Sequence, residues 1–183
     1  ALSTELDLHI LCAHVNHNLR GAESDGDEKF VLKMCEKLGV PCKIYSAPVA
    51  EYALEHRLST EEAGRRLRYE FFEHCADALG KDAKIATAHS LSDCAETFIF
   101  NAARGTGLSG LCGIPKKRGR IIRPIIGFTR AELEEYCAQK GVCFVTDSTN
   151  LTDEYARNKI RHNVIPTLRE INPAFERSLL RLE

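Results

Sequence analysis

Residues 86–108 read Ala-Thr-Ala-His-Ser-Leu-Ser-Asp-Cys-Ala-Glu-Thr-Phe-Ile-Phe-Asn-Ala-Ala-Arg-Gly-Thr-Gly-Leu. It continues a short apolar run over residues 83–88, a length typical of a buried strand. Apolar residues then recur at helical spacing and predict a helix directly after the strand. They are Ala95, Phe98, Ile99, Ala102 and Ala103. A strand followed at once by a helix is the repeating unit of an α/β fold.

The opposite face of this predicted helix carries polar and charged side chains. Asp93, Glu96 and Thr97 stand at i, i+3 and i+4, so they share a face. Asn101 and Arg104 extend that face toward a glycine-rich loop. Ligands of open α/β sheets collect beyond the carboxyl ends of strands, so the constellation indicates a functional site. Acids in a first helical turn also complement the helix dipole, and that alternative stays open for Asp93 taken alone.

Length and composition indicate one globular domain. The chain has 183 residues, 44% of them hydrophobic and 28% charged, which is enough to bury a full core. No apolar run approaches a membrane span and no signal peptide opens the sequence, so we expect a cytoplasmic protein without membrane contact. The eight cysteines never form a Cys-x-x-Cys pair, which favours reduced, buried thiols over a zinc or iron–sulfur site.

Basic residues are concentrated in two stretches of a chain whose net charge is −1. Residues 104–130 contain seven Lys and Arg and no acid, and residues 156–169 contain four more, again without an acid. This asymmetry predicts one positive surface facing a polyanion. A solvated basic face without a partner is the alternative for either stretch alone.

The remaining elements complete an alternating strand and helix pattern. Strands are predicted at residues 8–15, 42–46, 121–126 and 143–146. Helices are predicted at 30–38, 60–79, 130–140 and from 155 onward, the last interrupted at Pro166. Residues 105–119 are predicted to be a flexible loop. Three strands end in polar clusters, at His14, His89 and Asp147, and the pattern predicts a doubly wound, mainly parallel sheet with helices on both faces.

Several motifs occur in this sequence in the same order as in the N-terminal catalytic domain of the tRNA(Ile)-lysidine synthetase family, of the N-type ATP pyrophosphatase superfamily, which the chain therefore resembles. The resemblance covers nearly the whole chain. The motifs are His14-Val-Asn-His-Asn-Leu-Arg-Gly, Glu61-Glu-Ala-Gly-Arg-Arg-Leu-Arg-Tyr, Ala88-His-x-x-x-Asp-x-x-Glu-Thr, Arg104-Gly-Thr-Gly-Leu-x-Gly-Leu, Ile122-Arg-Pro, Asp147-x-x-Asn and Tyr155-x-Arg-Asn-x-Ile-Arg.

The resemblance implies a two-step reaction that consumes ATP, with Mg²⁺ as cofactor. ATP adenylates the ring carbonyl oxygen of the wobble cytidine in an isoleucine tRNA and releases pyrophosphate. The ε-amine of free L-lysine then displaces AMP, which leaves lysidine. The partners implied are therefore the isoleucine tRNA anticodon and L-lysine, and a homodimer is an assembly that the family often forms.

The resemblance also distributes roles among residues of this sequence. Catalysis is assigned to Asp93, Glu96, Arg157 and Asp147, the last also as a magnesium ligand. ATP binding is assigned to His14, Asn16, His17, Arg20, Arg65, Arg104, Gly105, Thr106 and Gly107. Lysine binding is assigned to His89, Asp93, Glu96 and Thr97. Contacts to tRNA phosphates are assigned to Lys116, Lys117, Arg118, Arg120, Arg123 and Arg161. A structural role for His14 and an ion pair between Arg65 and Glu61 are alternatives.

One departure from the family is large. The signature Ser-Gly-Gly-x-Asp-Ser pyrophosphate loop occurs nowhere in this sequence, and it would supply the main phosphate cradle. We expect that this loop and the first, central strand are omitted from the sequence, and that the fragment is inactive on its own. Residues 1–150 would form the catalytic domain, and residues 151–183 a helical extension toward C-terminal domains.

Two other functions compete with this interpretation. A cytidine thiolase of the same superfamily usually needs paired cysteines, and Asp93 with Glu96 suits an amine better than sulfur. A non-catalytic nucleotide- or RNA-binding module could keep the fold without the pyrophosphate loop.

Overall fold

The computed structural model describes residues 5–111, 113–145 and 156–181. Contacts between residues group the chain into two compact units, residues 1–83 and residues 84–183. The domain boundary predicted after residue 150 lies outside the described residues and stays a prediction. Among the helices described, none combines the length and the apolar character that a membrane span requires.

The first unit is built on two parallel strands, β1 (Cys12–Asn16) and β2 (Cys42–Ser46), with Cys12 opposite Cys42. Parallel neighbours need a crossover, and helix α1 (Ala22–Leu38) supplies it. Gly39 ends α1 at a φ of 64°, a left-handed conformation that glycine adopts without strain. The strand predicted at residues 8–15 starts later than expected, because residues 8–11 are not part of a strand.

Two helices complete the first unit, α2 (Val49–His56) and α3 (Thr60–Leu79). Ser59 caps α3, since its side chain accepts a hydrogen bond from the Glu62 backbone N–H. The carboxylate of Glu62 pairs with Arg66 one turn along the helix. The core of the unit gathers small and branched side chains, which are Ala47, Val49, Ala53, Ala63 and Leu67.

The second unit contains strands β3 (Ile85–Ala86), β4 (Lys117–Arg118) and β5 (Ile121–Ile122), in the order β3-β5-β4. β3 and β5 are parallel, whereas β4 and β5 form an antiparallel hairpin. The parallel pairs in both units confirm the predicted α/β class. The loop predicted at 105–119 is wrong in part, since it contains β4 and a short helix over Leu108–Leu111, α5.

The central helix of the second unit is α4 (Leu91–Ala103), which follows β3 as predicted. Ser90 and Asp93 form a capping box at its start. Ala95 is fully buried against Ile160 and Ile165, whereas the predicted apolar stripe reaches the surface at its end, where Ala102 and Ala103 are exposed.

Helix α6 (Arg130–Lys140) has the predicted bounds, and it starts at a second capping box, Thr129 with Glu132, and ends at Gly141. The strand predicted at 143–146 is wrong over residues 143–145, which have no regular structure, and residue 146 lies outside the described residues.

The last helical segments are α7 (Ala156–Lys159), a π-helical segment (Ile160–Val164), α8 (Ile165–Ile171) and α9 (Phe175–Leu179). The predicted interruption at Pro166 is instead a change from π to α helix. Pro166 lies in the first turn of α8, where a missing N–H is tolerated.

Candidate functional site

Asp93 belongs to the capping box that starts α4. Its Oδ2 atom accepts hydrogen bonds from the Ser90 backbone N–H and from the Ser90 hydroxyl, each at 2.7 Å. Both bonds fall on the same oxygen, so the cap uses one side of the carboxylate. Asp93 is half-buried, and the helix dipole favours its negative charge at this position.

Glu96 is buried and paired with a base from the π-helical segment. Its side chain is 5% exposed, and its two oxygens accept hydrogen bonds from Arg161 Nε at 2.6 Å and Nη2 at 3.0 Å. The hydrogen bonds to Glu96 raise the pKa of Arg161, against an opposing effect of burial, and the charges of Glu96 and Asp93 add to the rise. Asp93, Glu96 and Arg161 therefore form one charge cluster.

This pairing differs from what the sequence led us to expect. Glu96 was predicted as a carboxylate for a substrate ammonium group, and Arg161 as a cation for tRNA phosphates. In the structure each side chain satisfies the other, because a buried carboxylate needs a nearby cation and hydrogen-bond donors.

Two guanidinium groups share one aromatic ring farther along α4. The Cζ atom of Arg104 lies 5.1 Å from the Phe100 ring centroid, and that of Arg157 lies 5.9 Å from it. Cation–π contact favours each arrangement, while the two like charges repel. Both arginines are exposed, so both positive charges are accessible to an anion from solvent.

Sequence reasoning missed Phe100, which holds these two arginines. The available signal was spacing, since Phe100 stands four residues after Glu96 and four residues before Arg104 on the same helical face. Arg104 was predicted to bind ATP and Arg157 to act in catalysis, and in the structure both contact the Phe100 ring. Their role in binding phosphate stays a prediction.

The predicted phosphate loop at residues 105–107 is anchored to the end of α4. The Asn101 carbonyl accepts a hydrogen bond from the Thr106 N–H, and the Asn101 side chain donates one to the Gly110 carbonyl at 2.7 Å. Gly105 has a φ of 73°. Asn101 therefore fixes the path of the loop from both sides.

The remaining residues predicted to bind lysine are His89 and Thr97. His89 Nδ1 lies 2.9 Å from the Thr87 hydroxyl oxygen, directly before the start of α4. Thr97 lies half-buried in the second turn of that helix. Both assignments stay predictions, and Asp147 lies outside the described residues.

The basic tract divides into an exposed part and a buried residue. Lys116, Lys117 and Arg118 are exposed on and beside the β4–β5 hairpin, and Arg120 is half-buried. Arg123 is 6% exposed, and its Nη1 donates a hydrogen bond to the Pro115 carbonyl. Arg123 therefore has a structural role within the protein, and its predicted contact with tRNA stays a prediction.

In the first unit, the polar side chains at the end of β1 and directly after it are held largely by side chains of α1. Asn16, 4% exposed, donates hydrogen bonds to Asp25 and to Glu28, the latter at 3.0 Å. Arg20 pairs with Asp27 at 2.8 Å. These contacts tie the strand to the crossover helix, so Asn16 and Arg20 have structural roles. Their predicted contacts with ATP stay predictions.

His17 lies against α3 in the same unit. Its Nε2 is 2.9 Å from Arg68 Nη2, its buried Nδ1 has no hydrogen-bond partner, and a Cβ built on Gly64 would lie 3.4 Å from the ring. Burial lowers the pKa of His17, and the charges of Arg68 and His14 lower it further. Burial also lowers the pKa of His14, which Glu28 and Asp27 partly oppose. Nearby on α3, the Arg65 guanidinium lies 5.2 Å from the Tyr69 ring centroid.

Comparison with known proteins places this chain in a family. Residues 1–168 match the family described as the PP-loop domain. The chain belongs to the PP-loop family. This match confirms the superfamily inferred from the motifs.

Curated relatives of this PP-loop chain include three proteins named tRNA(Ile)-lysidine synthase. The one from Bacteroides thetaiotaomicron is 48% identical over 92% of this chain and 39% of its own length. Those from Thermosipho africanus and Clostridium perfringens are 46% and 43% identical over 94% and 97% of this chain, and over 40% and 38% of their own lengths. The chain thus spans about 40% of the length of these relatives.

A solved structure shares the fold of the PP-loop chain. It is a U34-tRNA thiolase from Methanococcus maripaludis with its 4Fe-4S cluster, and it covers 98% of this chain and 63% of its own, with a TM-score of 0.67 and 15% sequence identity. At that identity the likeness shows the fold alone.

We expect Gly110→Ala to destabilise the protein where the short helix α5 packs against Thr106. A Cβ at this position would lie 1.9 Å from the Thr106 hydroxyl oxygen and 3.0 Å from two Thr106 carbons, so rotating the hydroxyl would not relieve the clash. Overpacking of this kind costs about 1–3 kcal/mol, measured as the free energy of unfolding in urea. Gly107→Ala is the matched control, since a Cβ there would meet nothing within 4 Å. Equal losses in both variants would contradict the steric argument.

We also expect the stability of the first unit to fall in mild acid because of His17. Its folded-state pKa is lowered, so the unfolded chain binds the proton more readily, and stability is lost as the pH falls below about 6.5. His17→Gln should reduce the loss of unfolding free energy between about pH 7.5 and 5.5. His74→Gln, at an exposed position of α3, should leave it unchanged. Identical pH profiles for the wild type and His17→Gln would refute the assignment.

Proposed function

We propose that this chain is the catalytic part of an ATP-dependent ligase that joins free L-lysine to the wobble cytidine of an isoleucine tRNA. The cytidine ring carbonyl oxygen attacks the α-phosphorus of ATP, and the bond to pyrophosphate breaks. The lysine ε-amine then forms a C–N bond to the ring as AMP leaves. The names of relatives at 43–48% identity support this reaction.

The observation that carries the proposal is the charge distribution along α4. Acidic groups stand at its start, and two exposed guanidinium groups flank Phe100. Phe100 stands seven residues after Asp93, about 10 Å along the helix axis. An ammonium group at the start of α4 and a polyphosphate at its end therefore each find an opposite charge.

The polyphosphate end would be held by Arg104 and Arg157. Negative charge accumulates on the leaving pyrophosphate, and preorganised cations stabilise it more in the transition state than in the ground state. The backbone of residues 105–107, held in place by Asn101, would add N–H donors.

Asp93 is the acid that we propose for the lysine ε-ammonium group. Glu96 is already paired with Arg161, whereas the cap uses only Oδ2 of Asp93. A half-buried carboxylate can bind the ammonium group and accept the proton that the amine loses before attack. Glu96 would act indirectly, because its ion pair fixes the position of Arg161 beside Asp93.

Magnesium accompanies ATP in the family resemblance, but the described residues do not offer a fitting site. Mg²⁺ prefers oxygen ligands in octahedral geometry. The carboxylates of the α4 cluster are engaged in a cap and an ion pair, and Asp147 lies outside the described residues. We therefore derive no step through the metal.

The proposal is tested by assaying pyrophosphate release from ATP by the full-length protein with isoleucine tRNA transcripts. We expect AMP formation that depends on added lysine and on the wobble cytidine. Turnover that depends on a sulfur donor would support a thiolase instead, and tRNA binding without turnover would support a binding module. Either result would overturn the ligase assignment.

A further inference from the structure

Three cysteines that are far apart in sequence meet in the first unit. Cys12 and Cys42 are the first residues of β1 and β2 and lie opposite each other in the parallel pair. Cys35 lies in the last turn of α1 and is buried, while the other two are half-buried. Their three sulfur atoms all lie within 4.8 Å of one another.

The distances favour a single metal ion over a larger cluster. Zn–S bonds of about 2.3 Å separate thiolate ligands by about 3.8–4.0 Å in tetrahedral or trigonal geometry, so small side-chain movements would close this site. An iron–sulfur cubane needs wider spacing, because several metal and sulfide atoms stand between its cysteine ligands.

We propose that Cys12, Cys35 and Cys42 form a three-thiolate site for one thiophilic cation of the zinc or monovalent copper class. Thiolates select such soft or borderline ions over magnesium and calcium. Cys12 and Cys42 are half-buried, so an ion can reach the site from solvent, and Cys35 supplies a buried ligand.

Metal binding to these cysteines displaces the protons of their thiol groups. Burial, followed by hydrogen bonding to Cys35, raises the pKa of the Cys12 thiol to about 12, and burial is also the main cause that raises the pKa of Cys42. The metal-free Cys12 and Cys42 thiols therefore carry their protons at neutral pH. Each S–H bond breaks as an S–metal bond forms, and the protons pass to the buffer without any change in oxidation state.

The site lies at the opposite end of β1 from Asn16, and the predicted nucleotide residue His14 stands between them, about 7 Å from Cys12 along the strand. Asn16 ends β1 four residues after Cys12, which places the two about 13 Å apart along the strand. A metal at the beginning of the strands would join α1 to both strands and act as a structural clip. The inference therefore does not depend on the proposed ligase activity.

The test is a titration of the reduced full chain with Cd²⁺, followed by the ultraviolet thiolate-to-metal charge-transfer band. We expect one ion per chain. Loss of an outer-shell partner costs about 10- to 100-fold in affinity, so losing a ligand in Cys12→Ser, Cys35→Ser or Cys42→Ser should cost at least about 100-fold. Cys75→Ser, at a buried cysteine of α3, is the matched control and should retain full affinity.

A second measurement needs no variant and so does not depend on the variants folding. One equivalent of Cd²⁺ should protect Cys12 and Cys42 from alkylation in the wild type, while exposed Cys143 stays reactive. Equal protection of Cys143, unchanged affinity in the three variants, or bound iron with sulfide would each overturn the proposal.

Discussion

Arg161→Met should lower the free energy of unfolding by about 3–5 kcal/mol, the usual cost of removing one partner of a buried ion pair. The Glu96 side chain is 5% exposed, and both of its oxygens accept hydrogen bonds from this guanidinium. Without Arg161 the carboxylate must stay buried as an uncompensated charge or take up a proton. Methionine preserves much of the apolar stem, so the loss reports the charge and its hydrogen bonds.

The matched control is Arg66→Met, which breaks the exposed pair with Glu62 on α3. Exposed pairs contribute about 0–1 kcal/mol, so this variant should unfold nearly as the wild type does. Urea unfolding followed by circular dichroism measures both variants.

A double variant, Glu96→Leu with Arg161→Met, separates the pair from the packing around it. Replacing both partners by apolar groups removes the unpaired charge, so much of the lost stability should return. A double variant no more stable than Arg161→Met would show that packing of Arg161, and not the orphaned carboxylate, causes the loss.

Asp93→Asn should reduce lysine-dependent AMP formation by about 100-fold or more, within the range for a general base. Asparagine keeps an oxygen that can accept the hydrogen bonds from Ser90, so the helix cap is retained while the charge is lost. The expected change is confined to the step that uses lysine, and ATP binding should remain close to the wild-type value. Pyrophosphate and AMP release assays, with a separate ATP-binding titration, measure the two effects.

Glu132→Gln supplies the control, because Glu132 holds the same place in the capping box of α6. Its turnover should match the wild type. If Asp93→Asn loses ATP binding and turnover in the same proportion, or retains turnover, Asp93 does not serve the lysine step. Asp93→Ala adds loss of the cap, which costs about 1 kcal/mol in stability, and shows how much of any change is structural.

Local signals in the sequence were sufficient for the fold class and for the bounds of α3 and α6, but the helix predicted at 30–38 starts at Ala22 and α2 was not predicted. Ser59, Ser90 and Thr129 cap their helices, and Gly39 and Gly141 end theirs, because capping depends on residues within one turn of each other. Strand lengths were less predictable. A strand extends only as far as its neighbour pairs with it, so β3 and β5 retain two residues each.

Periodicity and motifs were enough to predict the alternation of strands and helices, the family, and the shared face of Asp93, Glu96 and Arg104. Tertiary structure was needed to identify the partners of the charged and polar side chains. It joined Glu96 to Arg161 across 65 residues, buried Arg123, and collected Cys12, Cys35 and Cys42. The physical reason is that periodicity tells which side of an element a residue occupies, whereas hydrogen bonds and ion pairs depend on which distant element packs against that side.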